Sequence, residues 1–288
     1  MKITVIICTK NSEENIRRCL SSVYAQTRKP DEVIVVDGNS VDRTVQIVKE
    51  AGVDIVISDR GGGLGYARQL GVEHASGELV CFIDSDTWSP PDWLEKMRDE
   101  LEKDDELVAV QDFYVSIGRN WVSNLESYFF NVSTHRAMKA TNNIATGIEN
   151  SIWIREFLLK NRFDSRFRLL EDLDLLYRVN KMGAKTLRTP NVFHIHFPRK
   201  SLKESYSQYW YRGYYTAYFH NKHRLKRRNM VTDVLLTPVA SVMIGSAAFA
   251  VERSLWAFAT SLTVVWKRTA FIAGYSSFPL PGGASVPT

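Results

Sequence analysis

The sequence predicts an α/β fold: a mostly parallel sheet flanked by helices, followed by a C-terminal helical extension. Three observations carry this. Short apolar runs of strand length alternate with segments of helical period over the first 110 residues. Several of those runs end abruptly in polar residues: Thr9, Asp37, and Asp84 with Asp86. Beyond residue 220 the character changes, first to a basic run and then to long apolar stretches. In a parallel sheet the polar strand ends gather along the carboxyl edge, which makes a nucleotide-sized crevice.

Taken in order, Ile3 to Cys8 reads as a buried first strand. Asn11 with Glu14 suggests a capping box, and Ile16, Leu20 and Val23 recur at helical spacing. Glu32 to Val36 is a second strand, and Val41, Val45 and Val48 mark a helix that Gly52 can close. Asp54 to Ile57 is a third strand. The stretch from Gly61 to Gly65 fits neither a dinucleotide fingerprint nor a Walker loop, so it reads as a mobile surface loop before a helix over 67–74. Leu79 to Ile83 is a strand buried on both faces, ending in Asp84-Ser85-Asp86. Pro91 suits the first turn of a helix reaching Lys103, and Leu107 to Val110 is a further strand.

Asp84 and Asp86 organise the chain. Two carboxylates two residues apart can share one hard cation and the phosphate oxygens of a substrate. Alone, such a pair also fits a solvated acidic turn beside Pro90 and Pro91. Arg68 leads into the same crevice and is a candidate phosphate contact. The three cysteines are an odd number, and Cys8 and Cys81 lie in strand-like runs, which argues for reduced thiols and a cytosolic compartment. Ile3 to Cys8 is too short for the apolar core of a secretory signal.

These residues together are similar to the family 2 glycosyltransferases of the GT-A (Rossmann-like) fold. The match runs through Ile6 to Asn11, Val36 to Asp42, Ala67-Arg68, Phe82 to Asp86 and Trp93-Leu94. It continues in Thr146-Gly147-Ile148-Glu149-Asn150, Phe163 to Phe167 and Glu171-Asp172-Leu173-Asp174, with Arg178 and Gly183 following. The resemblance covers residues 2–215 and implies an inverting enzyme that takes a UDP- or GDP-sugar. It implies Thr9 and Asp37 on the base and ribose, Arg68 on the diphosphate, and Asp84 and Asp86 on a divalent metal, Mg²⁺ or Mn²⁺. Gly147, Asn150 and Glu171 would line the acceptor and donor pocket. Many members carry two acids where this chain has Asp37-Gly38, which leaves the base preference open.

Sugar transfer needs the leaving diphosphate stabilised and a base for the acceptor proton. Asp172 is the expected base, the Asp of a Glu-Asp pair at a helix start. The helix dipole favours its ionised form, and the acids beside it oppose that. His194 and His196 share one face of a strand. The resemblance places a metal-binding histidine after the catalytic acid, which His196 fits better than His194.

The C-terminal third reads differently. Tyr206, Tyr209, Trp210, Tyr211, Tyr214, Tyr215 and Tyr218 crowd one helix, either packed on the domain or set at a membrane interface. The basic run from Lys222 to Arg228 suits an anionic membrane surface better than nucleic acid. Val234 to Val251 is an uncharged stretch of 18 residues, at the lower limit for a membrane span. Leu255 to Trp266 is a second apolar piece bounded by charges, and residues 276–288 read as a loose tail.

The reading is therefore a metal-dependent glycosyltransferase at the cytoplasmic membrane face with a lipid-linked or polyprenyl-phosphate acceptor. Residues 1–220 would form the transferase domain, nucleotide-binding over 1–110 and catalytic over 111–220. Residues 221–288 would associate with the membrane. The alternatives are a soluble glycosyltransferase, a nucleotide-sugar-binding protein without catalysis, and a nucleotidyltransferase.

Overall fold

The computed structural model describes residues 1–138, 144–253 and 255–279. The chain forms two compact units, one of residues 1–115 with 138–196, the other of residues 116–137 with 197–288.

The first unit opens with β1 (Ile3–Thr9), α1 (Ile16–Tyr24), β2 (Glu32–Asp37), α2 (Thr44–Glu50), β3 (Ile55–Ser58), α3 (Leu64–His74) and β4 (Leu79–Phe82). These four strands are all parallel: β1 lies between β2 and β4, and β3 pairs with β2. The chain goes on through β5 (Thr87–Trp88), α4 (Trp93–Glu102) and β6 (Leu107–Ser116). It leaves for α5 (Trp121–Met138) and returns to β7 (Ser151–Ile154), α6 (Arg155–Lys160), α7 (Glu171–Lys181) and β8 (Lys185–His196). The sheet order is β3-β2-β1-β4-β7-β6-β8-β5.

The sheet is mixed, which corrects the mostly parallel expectation. β7 runs antiparallel to both β4 and β6, and β5 antiparallel to β8. The alternation of strands and helices breaks where β5 follows β4 directly, and β7, inserted between β4 and β6, runs against both. Alternation along the strands explains the two layers. Ile3, Val5 and Ile7 of β1 pack with Leu20 and Val23 of α1 and Trp93 and Met97 of α4. Ile6 points the other way, into a cluster with Val36, Phe82, Val72 of α3 and Leu175 and Val179 of α7. All three cysteines are free thiols, and burial pushes Cys8 up to about 12.

Three local expectations change. Asn11 does not cap α1, whose first turn has no side-chain cap. Its backbone is left-handed (φ 49°), its side-chain oxygen accepts from the N–H of Val41 at 2.9 Å, and its own N–H donates to Ser40 Oγ at 2.8 Å. It therefore ties together the loops after β1 and β2. Val41 lies outside α2 and is exposed, because Asp42 Oδ1 takes the Thr44 N–H at 3.0 Å and sets the helix start beyond it. Ser276 and Ser277 still belong to a helix, Phe278 and Pro279 follow it, and residues 280–288 of the expected tail lie outside the described residues.

The glycine stretch is packed rather than a free surface loop. Gly63 has φ 94°, and a Cβ there would stand 2.7 Å from the Arg168 Cα. A Cβ on Gly65 would meet the Asp164 and Phe167 carbonyl oxygens at 2.7 and 2.8 Å. The N–H groups of Leu64 and Gly65 donate to the carbonyls of Arg168 and Phe167 at 3.3 and 3.1 Å. The start of α3 is thereby clamped against the segment that leads into α7.

The second unit holds α5, α8 (Leu202–Lys222), α9 (Met230–Glu252), α10 (Leu255–Phe258) and α11 (Thr260–Ser277). Tyr209, Tyr214 and Tyr215 are buried, so much of the aromatic stretch of α8 is packing surface. A Cβ on Gly213 or on Gly274 would strike the backbone of the other helix, so these two glycines let α8 and α11 cross closely. Lys267 and Glu126 form a buried ion pair at 2.7 Å, with the ammonium 3.7 Å from the Phe129 ring centre. This removes the Lys267 charge from the surface of the second apolar stretch. Among the described residues, one helix segment, Met230–Val251, is long and apolar enough to cross a membrane.

Gly65→Ala tests the clamp. Overpacking there should destabilise the protein by about 1–3 kcal/mol, read as a lowered melting temperature. A stability unchanged from wild type would mean that α3 and the 164–168 segment separate freely.

Candidate active site

The parallel strands bring their polar ends together as anticipated. Thr9 and Asp37 are register partners at the last position of β1 and β2. Both are buried, and Thr9 Oγ1 and Asp37 Oδ1 have no hydrogen-bond partner. The other Asp37 oxygen accepts from the Ser40 N–H at 3.0 Å and shapes the turn. Two buried, unpartnered polar atoms side by side are costly unless a ligand completes them.

Arg68 lies one turn into α3 and is only 3% exposed. It forms a close ion pair with Glu171 at the start of α7 and reaches Asp84 Oδ1 at 3.3 Å. Its guanidinium also sits 5.7 Å from the Phe82 ring centre. Burial disfavours the Arg68 charge, but Glu171 and then Asp84 outweigh this and hold it protonated above its ordinary range. Arg68 thus binds two elements of the site together, a role its sequence context did not reveal.

Around that one cation stand several acids. Asp84 is raised above the usual carboxylate range by desolvation, with Arg68 pulling back and Asp86 pushing further. Desolvation lifts Glu171 to about 8, opposed by Arg68 and reinforced by Asp172. Its Oε2 is buried without a partner. Glu149 is lifted to about 7 by desolvation, then by Asp172 and Asp84. Glu149 is a site acid that its sequence motif alone does not single out. The signal was there: an acid between Ile148 and Asn150, at the mouth of a strand.

Asn150 is fully buried and left-handed, with φ 44°. Its side-chain oxygen accepts the Asp84 N–H at 3.4 Å, which fixes the backbone where β4 ends. Gly147 donates its N–H to Gln111 Oε1 at 3.1 Å, and Gln111 in turn donates to Glu149 Oε1 at 3.1 Å. Asp172 occupies the first turn of α7, beside Glu171. Leu170, just before that turn, is left-handed at φ 64°, a conformation a non-glycine residue holds only when its surroundings enforce it.

The two histidines separate in role. His194 is 2% exposed, and its Nδ1 pairs with the Asp112 carboxylate at 2.8 Å, which also receives Trp93 Nε1 at 2.6 Å. His194 is therefore built into the core. His196 is register partner of Thr87, and its Nε2 lies 4.0 Å from Asp86 Oδ2. Among the described residues no group of three or more His, Cys, Asp or Glu side chains is arranged to hold a metal. Two protein ligands still suit Mg²⁺ or Mn²⁺, since such ions are commonly held by one or two carboxylates with water and substrate phosphates.

The Glycosyl transferase family 2 profile matches residues 4–163, which contain β1 to β7 and the acidic strand end. The chain belongs to this family.

A glucosyl-dolichyl phosphate glucuronosyltransferase of Haloferax volcanii is 36% identical over 136 residues, 45% of this chain and 42% of that protein. The chain spans less than half the length of the curated relatives it matches at 36% to 39% identity. Its fold is similar to S. aureus TarS 1–349, solved in complex with UDP-GlcNAc (TM-score 0.57, 20% identity, 96% of this chain and 89% of that one). It is also similar to glucosyl-3-phosphoglycerate synthase of Mycobacterium tuberculosis, solved with Mn²⁺, UDP and phosphoglyceric acid (TM-score 0.57, 20% identity, 78% and 80%).

The raised carboxyls make stability depend on pH. With folded values near 7 for Glu149 and 8 for Glu171, against an ordinary 4.5, the folded protein keeps protons that the unfolded chain has released. The stability this gives is complete below pH 4.5 and is lost as pH rises through 7 and 8. In chelator, the melting temperature should fall across that window, and Glu149→Gln should flatten the part between pH 4.5 and about 7. An equal slope in the variant would assign the effect elsewhere.

Proposed function

We propose that this chain is a metal-dependent, inverting glycosyltransferase that moves a sugar from a UDP- or GDP-sugar to a lipid-linked or polyprenyl-phosphate acceptor at the cytoplasmic membrane face. The observation that carries the donor half of this reading is the pair of unpartnered buried atoms, Thr9 Oγ1 and Asp37 Oδ1. They lie at the carboxyl edge of a family 2 sheet, next in register to the strand that ends in Asp84 and Asp86. A nucleoside offers donors and acceptors for both.

In this reading Thr9 and Asp37 hold the base and ribose. Asp86 and His196, with Asp84, hold the metal, which when bound acts as a Lewis acid on the leaving diphosphate. Arg68, fixed by Glu171, presents positive charge to the same diphosphate. Gly147 and Asn150 shape the sugar pocket, Asn150 by holding the Asp84 backbone. Asp172 takes the acceptor proton as the acceptor oxygen attacks the anomeric carbon and the diphosphate leaves in a single displacement, which inverts the centre. Glu149 lies within electrostatic reach of Asp172 and, while protonated, spares it further negative charge. The membrane part of the reading rests on the basic run and on α9.

The reading is tested with a panel of UDP- and GDP-sugars, with Mn²⁺ or with chelator. Wild type should release nucleoside diphosphate slowly, in a metal-dependent way, and Asp86→Ala should abolish this. Asp172→Asn should keep donor binding but lose transfer by about 10²–10⁴-fold. Full transfer activity in Asp172→Asn, or release of pyrophosphate, would refute the assignment. Asp37→Ala should weaken nucleotide binding by about tenfold or more, measured by calorimetry; unchanged binding would remove Asp37 from the donor site.

A further inference from the structure

The outward face of α9 is apolar over most of its length, interrupted by exposed Thr232 and Ser246. Val231, Leu235, Val239, Val242, Met243 and Phe249 are all exposed, Leu235 to 71%. The opposite face is made of small residues, and it is already occupied. Gly245 lies against Phe258, where an added Cβ would stand 2.9 Å from the carbonyl oxygen, and Ser241 Oγ donates to the Ser261 carbonyl. Ala248 packs with Val132 of α5 and Ala257 of α10. The exposed face is thus left over after the helix has used its packing surface. A contiguous apolar face of this length calls for a partner.

The charges at its ends indicate which partner. Before α9, Arg224, Lys226 and Arg227 are exposed, and Arg228 is held by Asp233 at 2.9 Å. At the other end, Arg253 is exposed, and α5 carries exposed His135 and Arg136 in the turn after Val132, which packs on the end of α9. Basic groups therefore flank the apolar face at both ends. A spanning helix concentrates its basic groups on one side of the membrane. A helix lying along an anionic surface keeps both ends at the level of the headgroups.

We infer that α9 seats the protein on an anionic lipid bilayer by lying in the plane of one leaflet, its apolar face in the acyl region and both basic ends among the headgroups. This deepens the membrane part of the function proposed above. In-plane seating also explains why a helix long enough to span is bordered by the half-polar α5 and by Arg268, whose Nη1 donates to the Asp233 carbonyl at 3.1 Å.

The test uses the full chain with Asn229→Cys or Arg253→Cys, one at each end of α9, and a membrane-impermeant maleimide. Wild type, with its native cysteines, sets the background. In sealed inside-out vesicles from producing cells both variants should label, and in intact spheroplasts neither should. Labelling of Arg253→Cys only from the spheroplast side would establish a span and overturn the inference. With purified protein and vesicles of phosphatidylglycerol and phosphatidylcholine, Leu235→Asp with Val239→Asp should lower binding at least ~10-fold. Lys226→Glu with Arg227→Glu should lower it on the order of tenfold, for anionic vesicles only. If vesicle binding survives the aspartates while a dimer dissociates, the face belongs to a second copy and the inference fails; absence of any vesicle binding also refutes it. Donor hydrolysis without lipid should be unchanged in the aspartate variant. A wild type that hydrolyses no donor would refute the transferase reading alone, leaving the seating result to stand.

Discussion

One buried guanidinium holds the first unit's site together. Arg68 sits among Asp84, Glu149, Glu171 and Asp172, paired with Glu171 and within 3.3 Å of Asp84. Burying a charge is costly unless its partners are close and fixed, and removing one partner of such a pair typically costs about 3–5 kcal/mol. The fold meets this condition by clamping the two helices that carry the pair. Gly63 and Gly65 let the backbone of α3 approach the 164–168 segment, and Leu170 turns the chain so that α7 starts with Glu171 facing Arg68. Asn150, with no exposed surface, fixes Asp84 from the other side.

The second unit solves a related problem by another route. Three of the charges that border its apolar stretches are satisfied internally: Lys267 by Glu126 and the Phe129 ring, Arg268 by the Asp233 carbonyl, Arg228 by Asp233. Glycines at 213 and 274 let α8 and α11 cross closely enough for the aromatic side chains to pack. The surface left outward on α9 is then almost purely apolar, which a water-facing helix does not need.

Much of this was legible in the sequence, for definable reasons. The parallel half was read from apolar runs because both faces of those strands are buried, and their polar ends fell together because parallel strands share a carboxyl edge. The antiparallel insertion of β7 was not legible, since a strand such as Ser151–Ile154 carries no mark of its direction or neighbours. Asn11 illustrates a competing use: a residue type that caps helices also takes left-handed turns, and here the loop contact to Val41 prevailed. The glycines from 61 to 65 looked mobile because what they pack against lies a hundred residues away in the chain. Arg68 and Glu149 show the same limit. Local sequence gives their charge, but their burial and shared electrostatics arise only when distant elements meet.

The central claim is that the edge formed by Thr9, Asp37, Asp84 and Asp86 receives a nucleoside diphosphate with a divalent ion. A crystal structure of the full chain with UDP or GDP and Mn²⁺ tests this most directly. The expected result is the base against Thr9 and Asp37, the metal between the diphosphate and Asp86 with His196 beside it, and Arg68 still paired with Glu171. Nucleotide bound elsewhere on the protein, or bound here with the metal away from Asp86, would contradict the account.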